Sequence, residues 1–242
     1  MEEREFLKRF SIPESQYRQT GLDWGSLSAI RDEYERTIPE LGLDARYVAE
    51  RLRPVESVHT VKTRIKSPDH LIEKIIRIKL ADPALTIAPG RYDQVVTDLV
   101  GVRALHLFKE DWTQIHDFIL QTWELMEPPV ANIHPQDPPP VTAAFHERRC
   151  AINQHPWGYR SVHYLIAFER SKDKTLPVEI QVRTLLEEAW SEIDHYVRYS
   201  HPGDAAVFAP HLAELNRLTA RADEVSSVIR RLKNGAQGKP GG

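Results

Sequence analysis

Residues 98–108 read DLVGVRALHLF, a carboxylate followed by a short apolar run suited to a central strand of a sheet. Outward from it, residues 57–64 (SVHTVKTR) alternate apolar and polar side chains and are rich in β-branched residues, which predicts a strand with one buried face. Pro68 then opens a helical pattern running to about Leu80, where its missing amide hydrogen costs least. Helical periodicity returns over residues 111–123, and residues 161–168 and 176–183 read as two strands, close enough in sequence to form an antiparallel pair. Helices resume over 185–199 and 210–232. At the other end, residues 22–53 carry Leu27, Ile30, Tyr34, Ile38, Leu41 and Leu43 at helical spacing, and Pro39 predicts a division into two helices. Residues 127–140 hold six prolines and are expected to form a loop. The Gly-rich tail, 234–242, is expected to be disordered. Helices, then mixed strands and helices, then helices again indicate an α+β core with helical N- and C-terminal extensions. The expected boundaries are a helical region over 1–54, the core over 55–200, a helical extension over 201–233 and the tail.

Composition narrows the function classes. The chain has 242 residues, 41% hydrophobic and 28% charged, which suits one sizeable folded domain rather than a disordered chain. A formal net charge of −3 argues against a protein that coats duplex DNA through a diffuse basic surface. Cys150 is the only cysteine, which excludes an internal disulfide and a cysteine-cluster metal site. The N-terminal MEEREFLKRF lacks a signal-peptide core, and no stretch approaches the roughly 18 apolar residues of a membrane span. A cytoplasmic location without membrane contact is expected. The apolar positions Leu212, Leu215, Leu218 and Val225 of the last helix suit packing either on its own core or on another subunit.

Four clusters carry candidate chemistry. Arg64 and Lys66 lie two apart at a strand end, while Lys74 and Arg77 lie three apart on one helix face, an arrangement able to grip a polyphosphate or to form a solvated basic surface. Asp98 precedes one strand and Glu179 sits inside another, between Val178 and Ile180. A pair of carboxylates brought together from two strands is the minimum protein contribution to a magnesium-assisted phosphoryl transfer. Read separately, Asp98 is equally a cap, and Glu179 a partner for Arg183 or Arg103. Tyr159 follows Gly158 just before a strand, where glycine lets the backbone approach a ligand and the ring can offer a face to a base. Tyr159, Ser161 and His163 share one side of that strand by alternation.

In this order and spacing, DLVGVR (98–103), GYRSVHY (158–164) and EIQVRT (179–184) resemble the synthetase domain of RelA/SpoT-type alarmone ((p)ppGpp) synthetases, over about residues 61–199. With no room for a hydrolase domain, the chain resembles a stand-alone small alarmone synthetase. The resemblance implies a nucleotidyltransferase-like mixed sheet flanked by helices. It implies transfer of pyrophosphate from ATP to the 3′-hydroxyl of GDP or GTP, releasing AMP, with Mg2+ as cofactor. Arg64 and Arg103 would bracket adenine, Lys66 and Lys74 would hold ATP phosphates, and Arg77 would assist. Asp98 and Glu179 would bind magnesium, and Glu179 would also accept the proton of the attacking hydroxyl. Tyr159 would stack on guanine, with His163, Gln181 and Arg183 lining the site. The sequence departs from the family at His155, where a phosphate-binding lysine is expected, and Arg148, Arg149 or Arg160 would have to compensate. That departure keeps two other acceptors open, the 3′-CCA end of tRNA and adenine nucleotides. An inactive nucleotide-binding regulator would be expected to lack a metal carboxylate, and both are present.

Overall fold

The computed structural model describes residues 2–171, 174–200 and 205–237. Short helices α1 (Glu3–Arg9) and α2 (Glu14–Gln19) lead into α3 (Trp24–Leu52), strand β1 (Thr60–Ile65) and helix α4 (Pro68–Ala81). Strand β2 (Val100–His106), helix α5 (Trp112–Thr122), strand β3 (Val130–Ile133), helix α6 (Pro139–Glu147) and strand β4 (Ala151–Gln154) follow. The long strands β5 (Ser161–Ser171) and β6 (Lys174–Thr184) precede helices α7 (Leu185–Ser200) and α8 (Ala205–Gln237). The six strands form one sheet in the order β1-β2-β6-β5-β3-β4. It is mixed: β3 runs parallel to β4 and antiparallel to β5, with Val130 opposite His163. β5 and β6 are sheet neighbours only two residues apart in sequence, a gap that an antiparallel pair alone can bridge. The expected α+β class and the interior position of β2 agree with this architecture.

The elements differ from the sequence reading in several places, most of them with a physical reason. Helix α3 runs unbroken through Pro39 instead of dividing there. Pro39 faces solvent, so the carbonyl it frees can be hydrated, while Tyr34 before it and Leu41, Ala45 and Val48 after it are buried and hold one axis. Leu43, counted in the apolar stripe, is exposed. The proline-rich segment is not a plain loop, because its prolines flank elements rather than interrupt them. Pro128 and Pro129 precede β3, and Pro139 and Pro140 open α6, where a helix needs no amide donors. The strand expected from Ser57 begins at Thr60, after a turn. Finally, α8 continues to Gln237, so residues 234–237 of the expected tail are helical, and 238–242 lie outside the described residues.

By its contacts the chain forms two compact units, neither continuous in sequence. One gathers the chain up to Tyr47 with Thr63–Gly101 and Phe168–Val178. Its interior includes Phe6, Leu27, Ile30, Tyr34 and the inward face of α4, Leu71, Ile72, Ile75 and Ile76. The second gathers Val48–Lys62, Val102–Ala167 and the chain from Glu179. Alternate residues of its strands, Val162, Tyr164 and Ile166 on β5 and Ile180 and Val182 on β6, are buried with Ile115, Ile119 and Trp190. No helix among the described residues is long and apolar enough to cross a membrane.

Candidate active site

In the first unit, cations from β1 and α4 converge on one carboxylate. Ser67 caps α4 by accepting the His70 amide at 3.3 Å and Pro68 takes the first turn, so the helix starts where Lys74 and Arg77 fall on its outward side. Lys66 follows β1. Its amide donates to Leu99 O at 3.0 Å, and its carbonyl accepts from the Tyr34 hydroxyl at 2.7 Å. Both lysines reach Asp98: Lys66 Nζ lies 3.0 Å and Lys74 Nζ 2.8 Å from its Oδ2. Burial works to raise the Asp98 carboxyl, but the hydrogen bond from Lys74 and the charge of Lys66 outweigh it and hold the group below the usual carboxylate range. Burial lowers the Lys66 ammonium despite the nearby Asp98. Asp98 Oδ1 is buried and has no hydrogen-bond partner, an arrangement that costs free energy in the protein alone and fits a cation ligand. Among the described residues no three His, Cys, Asp or Glu side chains form a metal cage, so a magnesium ion would draw its remaining ligands from phosphates and water. Arg64 and Arg77 are exposed.

The second unit holds a hydrogen-bonded chain running across β5 and β6. The Tyr159 hydroxyl is 2.9 Å from His163 Nε2, and His163 Nδ1 is 3.1 Å from Glu179 Oε1. With Nδ1 donating to the carboxylate, Nε2 accepts from the tyrosine, so one neutral tautomer satisfies both bonds. Gln181 Nε2 donates to Glu179 Oε2 at 2.5 Å, so both carboxylate oxygens are oriented from the sheet. Arg183 Nη1 donates to the Tyr159 hydroxyl and to Ser191 Oγ, each at 3.0 Å, and its guanidinium lies 5.3 Å from the centre of the tyrosine ring. Burial raises the Tyr159 phenol, which keeps it a hydrogen-bond donor at neutral pH. Ser161, buried on the same face as the alternation predicts, donates to Val182 O at 3.3 Å and lies in hydrogen-bonding contact with the Tyr159 phenol.

One residue of this centre escaped the sequence reading. Glu188 on α7, its side chain 5% exposed, meets three cations: Lys62 and Arg103 at 3.1 Å and Arg183 at 2.6 Å. The Arg183 contact is an ion pair not aligned as a hydrogen bond. Burial opposes the charge on Glu188, but Arg183 and then Arg103 hold its carboxyl below the usual range. In sequence, Glu187 and Glu188 look alike, both first-turn acids suited to a helix dipole. Only the geometry separates them. Thr184 caps α7, its Oγ1 accepting the Glu187 amide at 3.1 Å, and the Glu187 carboxylate accepts the Thr184 amide at 2.9 Å, leaving Glu188 aimed inward.

Of the arginines expected to compensate for His155, Arg148 and Arg160 are already engaged, while Arg149 is exposed. Arg160 grips Asp137 through three hydrogen bonds of 2.7–3.1 Å and donates to Asn216 Oδ1 at 2.7 Å. Arg148 pairs with Asp117 and lies over the Trp112 ring. His155 packs beside Tyr159, ring centres 5.4 Å apart. Arg103, expected with Arg64 at adenine, is tied to Glu188 and Glu192. The buried Cys150 thiol is pushed up to about 11 by burial and is no nucleophile. Asp98 and Glu179, expected to share magnesium, belong to different units.

Comparison with known proteins adds an independent line. A family model described as a region found in RelA / SpoT proteins matches residues 63–204. GTP pyrophosphokinase YjbM of Bacillus subtilis (strain 168) is 24% identical over 229 residues, covering 92% of this chain and 88% of that protein. The fold is similar to crystal structures of small alarmone synthetase 1 from Bacillus subtilis. The form bound to its product pppGpp has a TM-score of 0.63 at 20% identity, covering 84% of this chain and 99% of that one. The form bound to AMPCPP has a TM-score of 0.61 at 18% identity, with the same coverage.

Proposed function

The chain belongs to the RelA/SpoT family, and we propose on that basis that it is an ATP-dependent pyrophosphokinase making (p)ppGpp from GDP or GTP. The reaction forms a bond between the acceptor 3′-oxygen and the β-phosphorus of ATP. It breaks the bond from that phosphorus to the α,β-bridging oxygen, and AMP leaves with the electron pair. The hydroxyl proton must go to a base. The observation that carries the reading is the chain from Tyr159 through His163 to Glu179, which sets a carboxylate beside an aromatic platform for a nucleoside. Glu179 is the proposed proton acceptor, oriented by His163 and Gln181. Tyr159 offers a purine the face opposite Arg183. Lys66 and Lys74 are proposed to hold ATP phosphates, with Arg64, Arg77 and Arg103 as further donor-nucleotide contacts. Asp98, with its Oδ1 buried and unpaired and its Oδ2 held by Lys66 and Lys74, would be the protein ligand of a magnesium ion. The ion would neutralise phosphate charge during transfer. The resemblances to proteins crystallised with pppGpp and AMPCPP support this pair of nucleotides.

A second reading is favoured by one feature. His155 replaces the expected lysine, and Arg148 and Arg160 are each committed to a carboxylate, so the region around Tyr159 offers fewer unengaged cations to a 5′-polyphosphate. An acceptor without a terminal polyphosphate, such as the 3′-CCA end of tRNA, needs less of that charge. The test is γ-labelled ATP with GDP, GTP, ATP and bulk tRNA supplied together. Label on a guanine nucleotide is the expected result. Label on tRNA that disappears when the terminal adenosine is replaced overturns the acceptor but keeps the pyrophosphokinase.

A further inference from the structure

Tyr159 sits between two residues that are both held by Asn216 of α8. Asn216 Nδ2 donates to Gly158 O at 2.8 Å, and its Oδ1 accepts from Arg160 Nη1 at 2.7 Å. The asparagine is buried, so neither bond is shared with bulk water. Gly158 itself has φ +76, and a Cβ there would overlap the His134 ring and lie 3.0 Å from Asn216 Oδ1. No other residue fits against Asn216 in this turn without displacing something. The far edge of Arg160 is locked to Asp137, whose Oδ2 also accepts the His134 amide at 2.8 Å. The peptide presenting the tyrosine is therefore bracketed on both sides by one side chain.

We infer that Asn216 is a positioning residue for the acceptor nucleotide, acting through the Gly158–Arg160 backbone on the orientation of Tyr159. Asn216 lies beyond the residues matched to the family region, so this bracket is supplied by the chain's own C-terminal helix. The inference rests on the assignment of Tyr159 to the acceptor, and the experiment separates the two. Wild type, Asn216→Ala, Asn216→Asp and Tyr159→Ala are compared for KM of ATP, KM of whichever acceptor the wild type uses, and amide hydrogen exchange of residues 155–160.

Asn216→Ala is expected to raise the acceptor KM about tenfold, the scale of one or two lost hydrogen bonds, with the ATP KM within about twofold. Exchange over residues 155–160 rises, while that of β6 does not. Asn216→Asp keeps an acceptor for Arg160 but loses the donor to Gly158 O, and falls between. Unchanged exchange overturns the inference whatever the activity, and so does an equal rise of both KM values, which marks a merely structural loss. If Tyr159→Ala shifts ATP instead, the acceptor assignment of Tyr159 fails. The positioning role then stands only if Asn216→Ala shifts ATP in parallel.

Discussion

At the scale of single residues, two carboxylates and one tyrosine define the proposed chemistry. Asp98→Asn and Glu179→Gln keep volume while removing charge, so each is expected to abolish transfer and leave the fold intact, checked by product formation beside circular dichroism. Near-normal turnover in either variant with magnesium present would sink the proposed site. Tyr159→Ala is expected to raise the acceptor requirement roughly five- to a hundred-and-fifty-fold, from about 1–3 kcal/mol of lost stacking, and Arg103→Ala to act mainly on ATP. Glu188→Ala leaves Arg183, 2% exposed, without its closest carboxylate, and is expected to cost about 3–5 kcal/mol in urea denaturation. A loss below about 1 kcal/mol would show that Ser191 and Tyr159 suffice to hold Arg183. Much of the candidate site could be read from sequence because its residue types cluster in short runs at or within strands. Glu188 was not, since the inward aim of one of two adjacent acids is decided by a helix cap. The engagement of Arg148 and Arg160 was hidden because Asp117, Asp137 and Asn216 come from distant stretches of chain.

At the scale of elements, strong periodicity survived and proline counting did not. α4, α5 and the β5–β6 pair follow their hydrophobic patterns closely, while Pro39 and the prolines of residues 127–140 matter by position rather than number. Helix α8 contributes buried polar contacts that no pattern announces: Leu212 O accepts from Trp190 Nε1, Ser227 donates to Glu110, and Asp223 accepts from Thr184 Oγ1 at 2.9 Å. Asp223 is fully buried with Oδ1 unpaired, and burial, with the nearby charge of Glu187, raises its carboxyl to about 7; Thr184, Lys109 and Arg160 act the other way. Because the folded value exceeds the unfolded one, this group's contribution is fully present below about pH 4 and is lost as pH rises through 7. Asp223→Asn mimics the protonated form. It is expected to exceed wild-type stability by a margin that widens from pH 5 to pH 8, to at most about 4 kcal/mol, read from urea midpoints at each pH. A margin that narrows with rising pH would contradict the assignment.

For the whole molecule, the family region and the folding units do not coincide. Residues 63–204 omit Tyr34, which holds the Lys66 carbonyl, and Asn216, Asp223 and Arg230, which anchor α8 on the second unit. A fragment of 63–204 is accordingly expected to lose cooperative unfolding and to expose apolar surface, whereas residues 1–237 should melt like the full chain; calorimetry and dye binding distinguish the two. A fragment that melts cooperatively would show these anchors to be dispensable. The alternation along β5 and β6 carries one more implication. Val162, Tyr164, Ile180 and Val182 face inward, and the residues between them, His163, Glu179 and Gln181, make the chain that leads to Tyr159. A slip of one position would send these polar side chains into the interior and the aliphatic ones into water. On the proposed reading a mispaired sheet has no turnover, so specific activity per mole of chain is expected to track the fraction of correctly paired molecules in a preparation.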